Sequence, residues 1–368
     1  MVASQKLLER MTRFLQDILR QPDELERVFQ YLCGPGRHAL EEAARKIRDA
    51  QHVYLTGIGS SWHAALSAQP LFQLGPRPVH VQEASEIWQS TSIPRDSVVI
   101  VISRSGRSVE IVNLLAKARE SGVIVVGITN AEDGPLAQLA QIPIVVPVAR
   151  DHAISVNSYS CLAAAAGALA SAAAGSLNAE LVAALSNVVR AAASVLPKWQ
   201  AQISHSIWPQ PGSISYFLGR VGGLGTCHEA RLLWEEGVKS PATAMGTSSF
   251  RHGPQEMISR GARFGLWIDG QRMRNQDLAV ARDLTLLGAS VMVVGQDLPE
   301  NAGELVVQLP RTPPDWQFLI DIIPAQLAAE HLAGLAGVDC DSFRYCSYIV
   351  EDEYGLMPEK AVIPKLRN

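Results

Sequence analysis

From Gln51 onward the chain alternates short, apolar, β-branched runs with segments of helical period, and that alternation leaves few folds open. "HVYLTGIG" (52–59), "RPVHVQEA" (77–84), "SVVIVIS" (97–103), "VIVVGITN" (123–130) and "IPIVVPV" (142–148) read as strands, with helices predicted from Ser61 and over Ser108–Ser121. Strands apolar at nearly every residue are buried on both faces, and helices between them make the crossovers of a parallel sheet. After a helical middle over roughly 157–207 and a break at Pro209, Pro211 and Gly212, the texture returns as "ISYFLGR" (214–220), a helix near Cys227–Glu236, "FGLWIDG" (264–270), "ASVMVVG" (289–295) and "ELVVQLP" (304–310). The first unit of each half is alike: "YLTGIGSSWHAA" (54–65) and "FLGRVGGLGTCHEA" (217–230) both give strand, glycine-bearing loop, hydroxyl residue and helix. The expected fold is α/β, with two similar doubly wound parallel sheets in tandem, each flanked by helices. The expected division is a helical segment over 1–50, a first α/β domain over 51–200 and a second over 201–368. Apolar residues at helical spacing between Lys6 and Leu32 are interrupted by Gln21-Pro22-Asp23, where a second helix is predicted to start.

Composition narrows the function classes. The 368 residues carry a net charge of −4, 47% hydrophobic and 18% charged residues, which fits a globular protein and not a disordered or nucleic-acid-binding one. Five cysteines, an odd number without a CxxC pair, predict reduced thiols and a cytoplasmic location. The opening "MVASQKLLERMTRF" has no apolar signal core, and "CLAAAAGALASAAAG" (161–175) is too short to span a bilayer, so no membrane association is expected.

In such sheets ligands bind at the carboxyl ends of strands, where loops enter helix N-termini whose free N–H groups suit phosphate. Three loops carry the right residues: Gly57–Ser61 with Gly59, Ser60 and Ser61; "SRSGRS" with Ser103, Arg104, Ser105, Arg107 and Ser108; and the hydroxyl cluster Ser155–Ser160 with Ser158. Each alone is more often capping and turn chemistry, and it is the three together that point to a phosphate site. No GK[ST] follows, and Trp62 stands where a dinucleotide loop needs its third glycine. In "GTCHEARLLWEEG" (225–237), Thr226 and Glu229 have capping-box spacing, which reads Glu229 as structural. Glu236 is placed at the helix end with Gly237 as the C-cap, where the dipole raises a carboxylate's pKa toward that of a proton shuttle. His252 lies in "SSFRHGP", exposed by the Gly-Pro turn. The other histidines have no metal-ligand spacing, and neither a metal nor an organic cofactor is expected.

Together these pieces resemble the sugar isomerase (SIS) family, most clearly the isomerase half of glucosamine-6-phosphate synthase. The resemblance runs from "ILRQPDEL" (18–25) to "GVDCDSFRYCSYIVEDE" (337–353). It implies two tandem SIS domains. The family's S-x-S-G-[ET]-[ST] phosphate loop matches Ser103, Ser105, Gly106 and Ser108, and its G-[TS]-S loop matches Gly59, Ser60 and Ser61. Its proton-shuttling glutamate falls on Glu236 and its ring-opening histidine on His252, 16 residues apart, a spacing shared with fructosamine-6-phosphate deglycases. Related enzymes are dimers whose histidine reaches into the neighbouring site, so a homodimer with shared sites is implied.

The departures bear on the reaction. The chain begins Met1-Val2 where the synthase has a glutaminase domain with a nucleophilic cysteine, so glutamine-dependent synthesis is not expected. The synthase's C-terminal lysine falls on Cys346, and a second lysine on the catalytic helix falls on Leu233. A thiol forms no imine, so no covalent enzyme–sugar intermediate is expected, with Lys239, Lys360 and Lys365 as the amines that would reverse this. The resemblance implies an aldose–ketose isomerase and deaminase acting on an aminohexose 6-phosphate and releasing ammonia. The alternatives are a fructosamine-6-phosphate deglycase and a non-catalytic sugar-phosphate sensor.

Overall fold

The computed structural model describes residues 11–356, so Lys360 and Lys365 lie outside the described residues. Two helices, α1 (Arg13–Cys33) and α2 (Arg37–Asp49), precede the first sheet. They are followed by β1 (His52–Thr56), α3 (Ser60–Gln73), β2 (Val79–Val81), α4 (Ala84–Ser90), β3 (Ser97–Ser103), α5 (Val109–Ser121), β4 (Ile124–Thr129), α6 (Pro135–Leu139) and β5 (Ile142–Val145). Helices α7 (Asn157–Ala173) and α8 (Ala179–His205) lead to the second half. That half holds β6 (Ser215–Gly219), α9 (Gly222–Leu233), a π-helical turn (Trp234–Val238), β7 (Ala242–Gly246), α10 (Thr247–Phe250), β8 (Arg263–Trp267), α11 (Arg274–Leu286), β9 (Ser290–Gly295), β10 (Leu305–Gln308) and α12 (Ile323–Leu335).

Both sheets are five-stranded and parallel throughout. Their orders are β2-β1-β3-β4-β5 and, read in the same sense, β7-β6-β8-β9-β10. The strand order therefore repeats, as the likeness of the first units suggests. Every residue of β3 and of β9 is buried, the physical reason these strands read as unbroken apolar runs. Strand β7 escaped the sequence reading: Ala242–Gly246 is only half-buried and pairs on one side, so it has no need of an apolar run.

Three other expectations are corrected. Helix α1 runs without interruption through Pro22. An internal proline costs a helix about 3 kcal/mol, and here tertiary packing offsets it. Phe14, Ile18, Leu25, Val28 and Phe29 are buried, and the buried Gln21 amide accepts from Ser160 Oγ and donates to Gln326, both at 2.6 Å. The helical middle is two helices, parted at residues 174–178 where Gly175 takes a left-handed φ of 75°. The helix carrying Glu236 does not stop at Gly237; it widens into the π turn and is ended by Lys239 at φ 56°.

One buried cluster runs through both halves, joining Leu55, Ile100 and Val126 of the first sheet to Phe217, Trp267 and Val294 of the second. The alanines of α7, Ala163–Ala166, are fully buried and let α1, α2 and α3 pack closely on it. Helices α3 and α9 touch at Gly225, where a Cβ would lie 2.4 Å from Ser67 Oγ and 2.8 Å from the His63 carbonyl. Only glycine permits that approach, and it brings Ser60 and His63 against α9. Ala179–His205 and Gln317–Leu335 are long and apolar enough to cross a membrane, but the first packs on α1 and α12 and the second is 78% buried within the fold.

Candidate active site

At the carboxyl ends of β1 and β3 lies a cavity of about 220 Å³. Its lining gathers Gly59, Ser60, Ser61, Ser103, Arg104, Ser105, Ser108 and Glu236, residues from three separate segments. The loop after β3 is a compact turn: the Gly106 N–H donates to Ser103 Oγ at 3.1 Å and the Arg107 N–H to Ser105 Oγ at 3.2 Å. Gly106 sits at φ 65°, and a Cβ there would be 2.7 Å from Leu136 Cβ, so both conformation and space require glycine. Each serine hydroxyl accepts one bond and keeps its own O–H to donate. Ser108 is the N-cap residue of α5, yet its side chain makes no capping bond.

The two arginines of that loop part company. Arg107 turns away to Asp133, at 2.8 Å. Arg104 lines the cavity, donating to the Tyr348 carbonyl at 2.8 Å and to Ser155 Oγ at 3.3 Å. The segment that receives it, 343–350, forms the cavity's outer wall with Phe343, Cys346, Ser347, Tyr348, Ile349 and Val350. The Val350 carbonyl accepts the Val109 N–H at 2.9 Å, occupying one amide at the N-terminus of α5.

Burial pushes the Glu236 carboxyl up to about 8, the nearby Glu229 adds to the rise, and Arg104 and Lys239 oppose it. The dipole argument gave the right direction, but loss of water is the first cause. Glu229 itself is not a capping residue. Helix α9 is capped at Val221, five residues before Thr226, so the Thr226–Glu229 spacing falls inside the helix. Glu229 is buried and accepts from Ser60 Oγ at 2.8 Å, with His63 Nδ1 at 2.7 Å from its other oxygen. The His63 ring stacks on His228 at 5.7 Å, and burial, His63 and Arg231 lower the His228 pKa to about 4. The carboxylate thus orients the Ser60 hydroxyl at the cavity from the other half of the chain.

Ser158 and His252 do not join this lining. The N-terminus of α7 is filled from within: the Asp151 carboxylate accepts the N–H groups of Val156, Asn157 and Ser158 at 3.1, 3.0 and 2.8 Å. An internal carboxylate holds the place a ligand anion would need, and Ser155 is the member of that cluster that reaches the cavity. His252 is exposed in the turn after α10, away from the Glu236 cavity. Lys239 lines an adjoining space that shares Glu236, Phe343 and Cys346 with the cavity; its amine donates to the Ser342 carbonyl at 2.8 Å and to the Glu236 carbonyl, and burial lowers its pKa. Among the described residues no group of three or more His, Cys, Asp or Glu is placed to hold a metal ion.

Residues 46–172, which carry the Gly59–Ser61 loop and the serine turn after β3, match the family model described as SIS domain. The chain carries a SIS domain. Glutamine–fructose-6-phosphate aminotransferase (isomerizing) of Geobacillus kaustophilus is 24% identical over 340 residues, covering 90% of this chain and 56% of the relative. The chain therefore spans about half the length of the curated relatives it matches. Among solved structures, the C-terminal domain of glucosamine-fructose-6-phosphate aminotransferase from Francisella tularensis superposes with a TM-score of 0.79 at 18% identity, covering 89% of this chain and 97% of that one. Glucosamine-6-phosphate deaminase from Thermotoga maritima gives 0.76 at 21% identity, over 92% and 99%.

Within the SIS domain the serine turn is expected to hold the phosphate. Ser105→Ala should weaken binding of a phosphorylated sugar by about 1–3 kcal/mol, the range for losing a charge-assisted hydrogen bond. Calorimetric titration with fructose 6-phosphate and with fructose checks this; an equal loss for both would make the turn structural.

Proposed function

We propose that the protein is an isomerising deaminase of an aminohexose 6-phosphate, with the second sheet a further SIS-type domain that supplies the acid–base group. The observation that carries the reading is Glu236, a carboxylate held near neutrality by burial and facing the same cavity as the serine turn. The repeated strand order supports the duplication. With the phosphate on Ser103, Ser105 and Ser108, the carboxylate takes the C2 proton of the open-chain aminoaldose and returns a proton to C1 of the enolamine. The product is a C2 imine. Water adds to it and ammonia leaves, giving the ketose 6-phosphate. His252, supplied by a second copy of the chain, passes the proton that opens the ring. No covalent bond to the protein is required, and Cys346 offers no amine for one.

A second reading has its own observation. Behind Glu236 the space lined by Glu235, Lys239, Pro241, Phe343, Tyr345 and Cys346 measures about 420 Å³ and adjoins the cavity. Room there for an amine substituent favours a fructosamine-6-phosphate deglycase, in which the carboxylate takes a C1 proton, the resulting enolamine with nitrogen on C1 is protonated at C2, and hydrolysis of the C1 imine frees the amine. Incubation with glucosamine 6-phosphate and with fructosamine 6-phosphates, scoring ammonia against free amine, separates the two. Ammonia from glucosamine 6-phosphate is the expected result. Free amine alone selects the deglycase, and tight binding without turnover overturns both in favour of a sensor.

A further inference from the structure

The second sheet has the same strand order as the first, so it has its own switch point at the carboxyl ends of β6 and β8. A cavity of about 170 Å³ lies there, sharing no lining residue with the Glu236 cavity. The backbone entering it repeats the first site. Gly59 caps α3 at φ 55°, ψ −131°, and Val221 caps α9 at φ 52°, ψ −124°. A β-branched residue rarely adopts that conformation, so the loop shape is kept even where the residue type disfavours it.

Two polar groups at this cavity lack partners. Asp321 is buried to 1% exposure; its Oδ1 accepts from Thr226 Oγ1 at 2.8 Å and its Oδ2 has no hydrogen bond. Arg220 holds both oxygens of Asp277 through Nε, at 2.7 and 3.0 Å, and donates from Nη1 to Ser248, but its Nη2 is buried and unpaired. Both residues line the cavity. The other carboxylates of the lining are answered: Arg272 holds Asp269 at 3.2 Å and Asp315 at 2.5 Å, and Arg311 holds Asp297 at 3.3 Å. Burial pushes the Asp321 carboxyl up to about 7, so what is missing is a donor or cation for Asp321 and an acceptor for Arg220. A phosphate could accept from Arg220 but not answer Asp321, whose buried carboxyl would be faced with a second anion. The volume is below the roughly 300 Å³ at which pockets for drug-sized ligands begin.

We infer that this cavity is a second binding site, for an unphosphorylated, polyhydroxylated amine of monosaccharide size. The Asp321 carboxylate takes the ammonium and the Arg220 guanidinium a hydroxyl oxygen. The site stands independently of the chemistry at Glu236. Its ligand differs from the first site's by lacking the phosphate that the serine turn would grip.

The test is calorimetric titration of the full chain with glucosamine and with glucose. Glucosamine should bind at least tenfold more tightly than glucose. Asp321→Asn, which keeps the Thr226 bond and removes the charge, should weaken glucosamine at least tenfold, and saturating fructose 6-phosphate should leave the parent's affinity for glucosamine unchanged. Gly270→Phe provides a second variant: a Cβ at Gly270 meets nothing within 4 Å, so the chain accommodates it while bulk is added to the lining. It too should weaken glucosamine, even if Asp321→Asn fails to fold. Absence of binding to the folded parent, equal affinity for glucose, or indifference to both variants would overturn the site. Displacement of glucosamine by fructose 6-phosphate would place the amine in the first cavity, overturning this inference while leaving the proposed reaction untouched.

Discussion

Glu236→Gln is expected to lower turnover by ~10²–10⁴-fold, the range for losing a positioned general base, while leaving sugar-phosphate binding nearly intact. The amide has the shape of the carboxylate and cannot take a proton from C2. Two pH readouts separate this role from a structural one. Proton abstraction needs the ionised carboxylate, and its pKa is raised to about 8, so kcat/KM of the parent should climb as pH rises through about 8 and level off above it. Stability moves the other way. A carboxyl whose folded-state pKa lies above its unfolded value binds more protons folded than unfolded, so its stabilising contribution is full below the unfolded value, near 4.5, and lost as pH rises toward 8. The glutamine variant carries no such burden, and its Tm should match or exceed the parent's above pH 8. Parent-like rates in Glu236→Gln would remove the mechanism.

His252→Asn is expected to reduce turnover of the ring-closed sugar on a similar scale, and its effect should cross between subunits. The histidine is exposed in the turn after α10, outside the lining that contains Glu236. If one copy of the chain lends it to another, mixing Glu236→Gln with His252→Asn under subunit exchange creates sites that hold one intact Glu236 and one intact His252. Part of the activity should return. No recovery, with exchange confirmed by mass, would exclude His252 as a residue acting between copies.

The loops of the first half were legible because their chemistry is local. Gly59, Ser60, Ser61, Ser103, Ser105 and Ser108 follow apolar strands directly, and the carboxyl end of a parallel strand is where such residues must lie. Ser158 looked the same in sequence and was not, because the anion that fills its helix N-terminus is Asp151, a few residues upstream in an irregular stretch. Glu229 was misread for a related reason. Thr226 and Glu229 have the spacing of a cap, but the helix begins at Gly222, after a strained Val221 that no propensity scale would choose as a cap.

Sequence by itself determined the layers of this protein. Apolar runs and helical periods are properties of neighbouring residues, and they specify two parallel sheets, their helical cover and the serine turn after β3. Only the tertiary structure decided what those parts do to one another. Ser60 meets Glu229 across 169 residues and Arg104 meets the Tyr348 carbonyl across 244. Glu236 owes its raised pKa to water excluded by distant segments and to the neighbouring Glu229, and one oxygen of the buried Asp321 is left without a hydrogen bond. Desolvation and partner choice depend on which surfaces close over a group, and no stretch of chain carries that information alone.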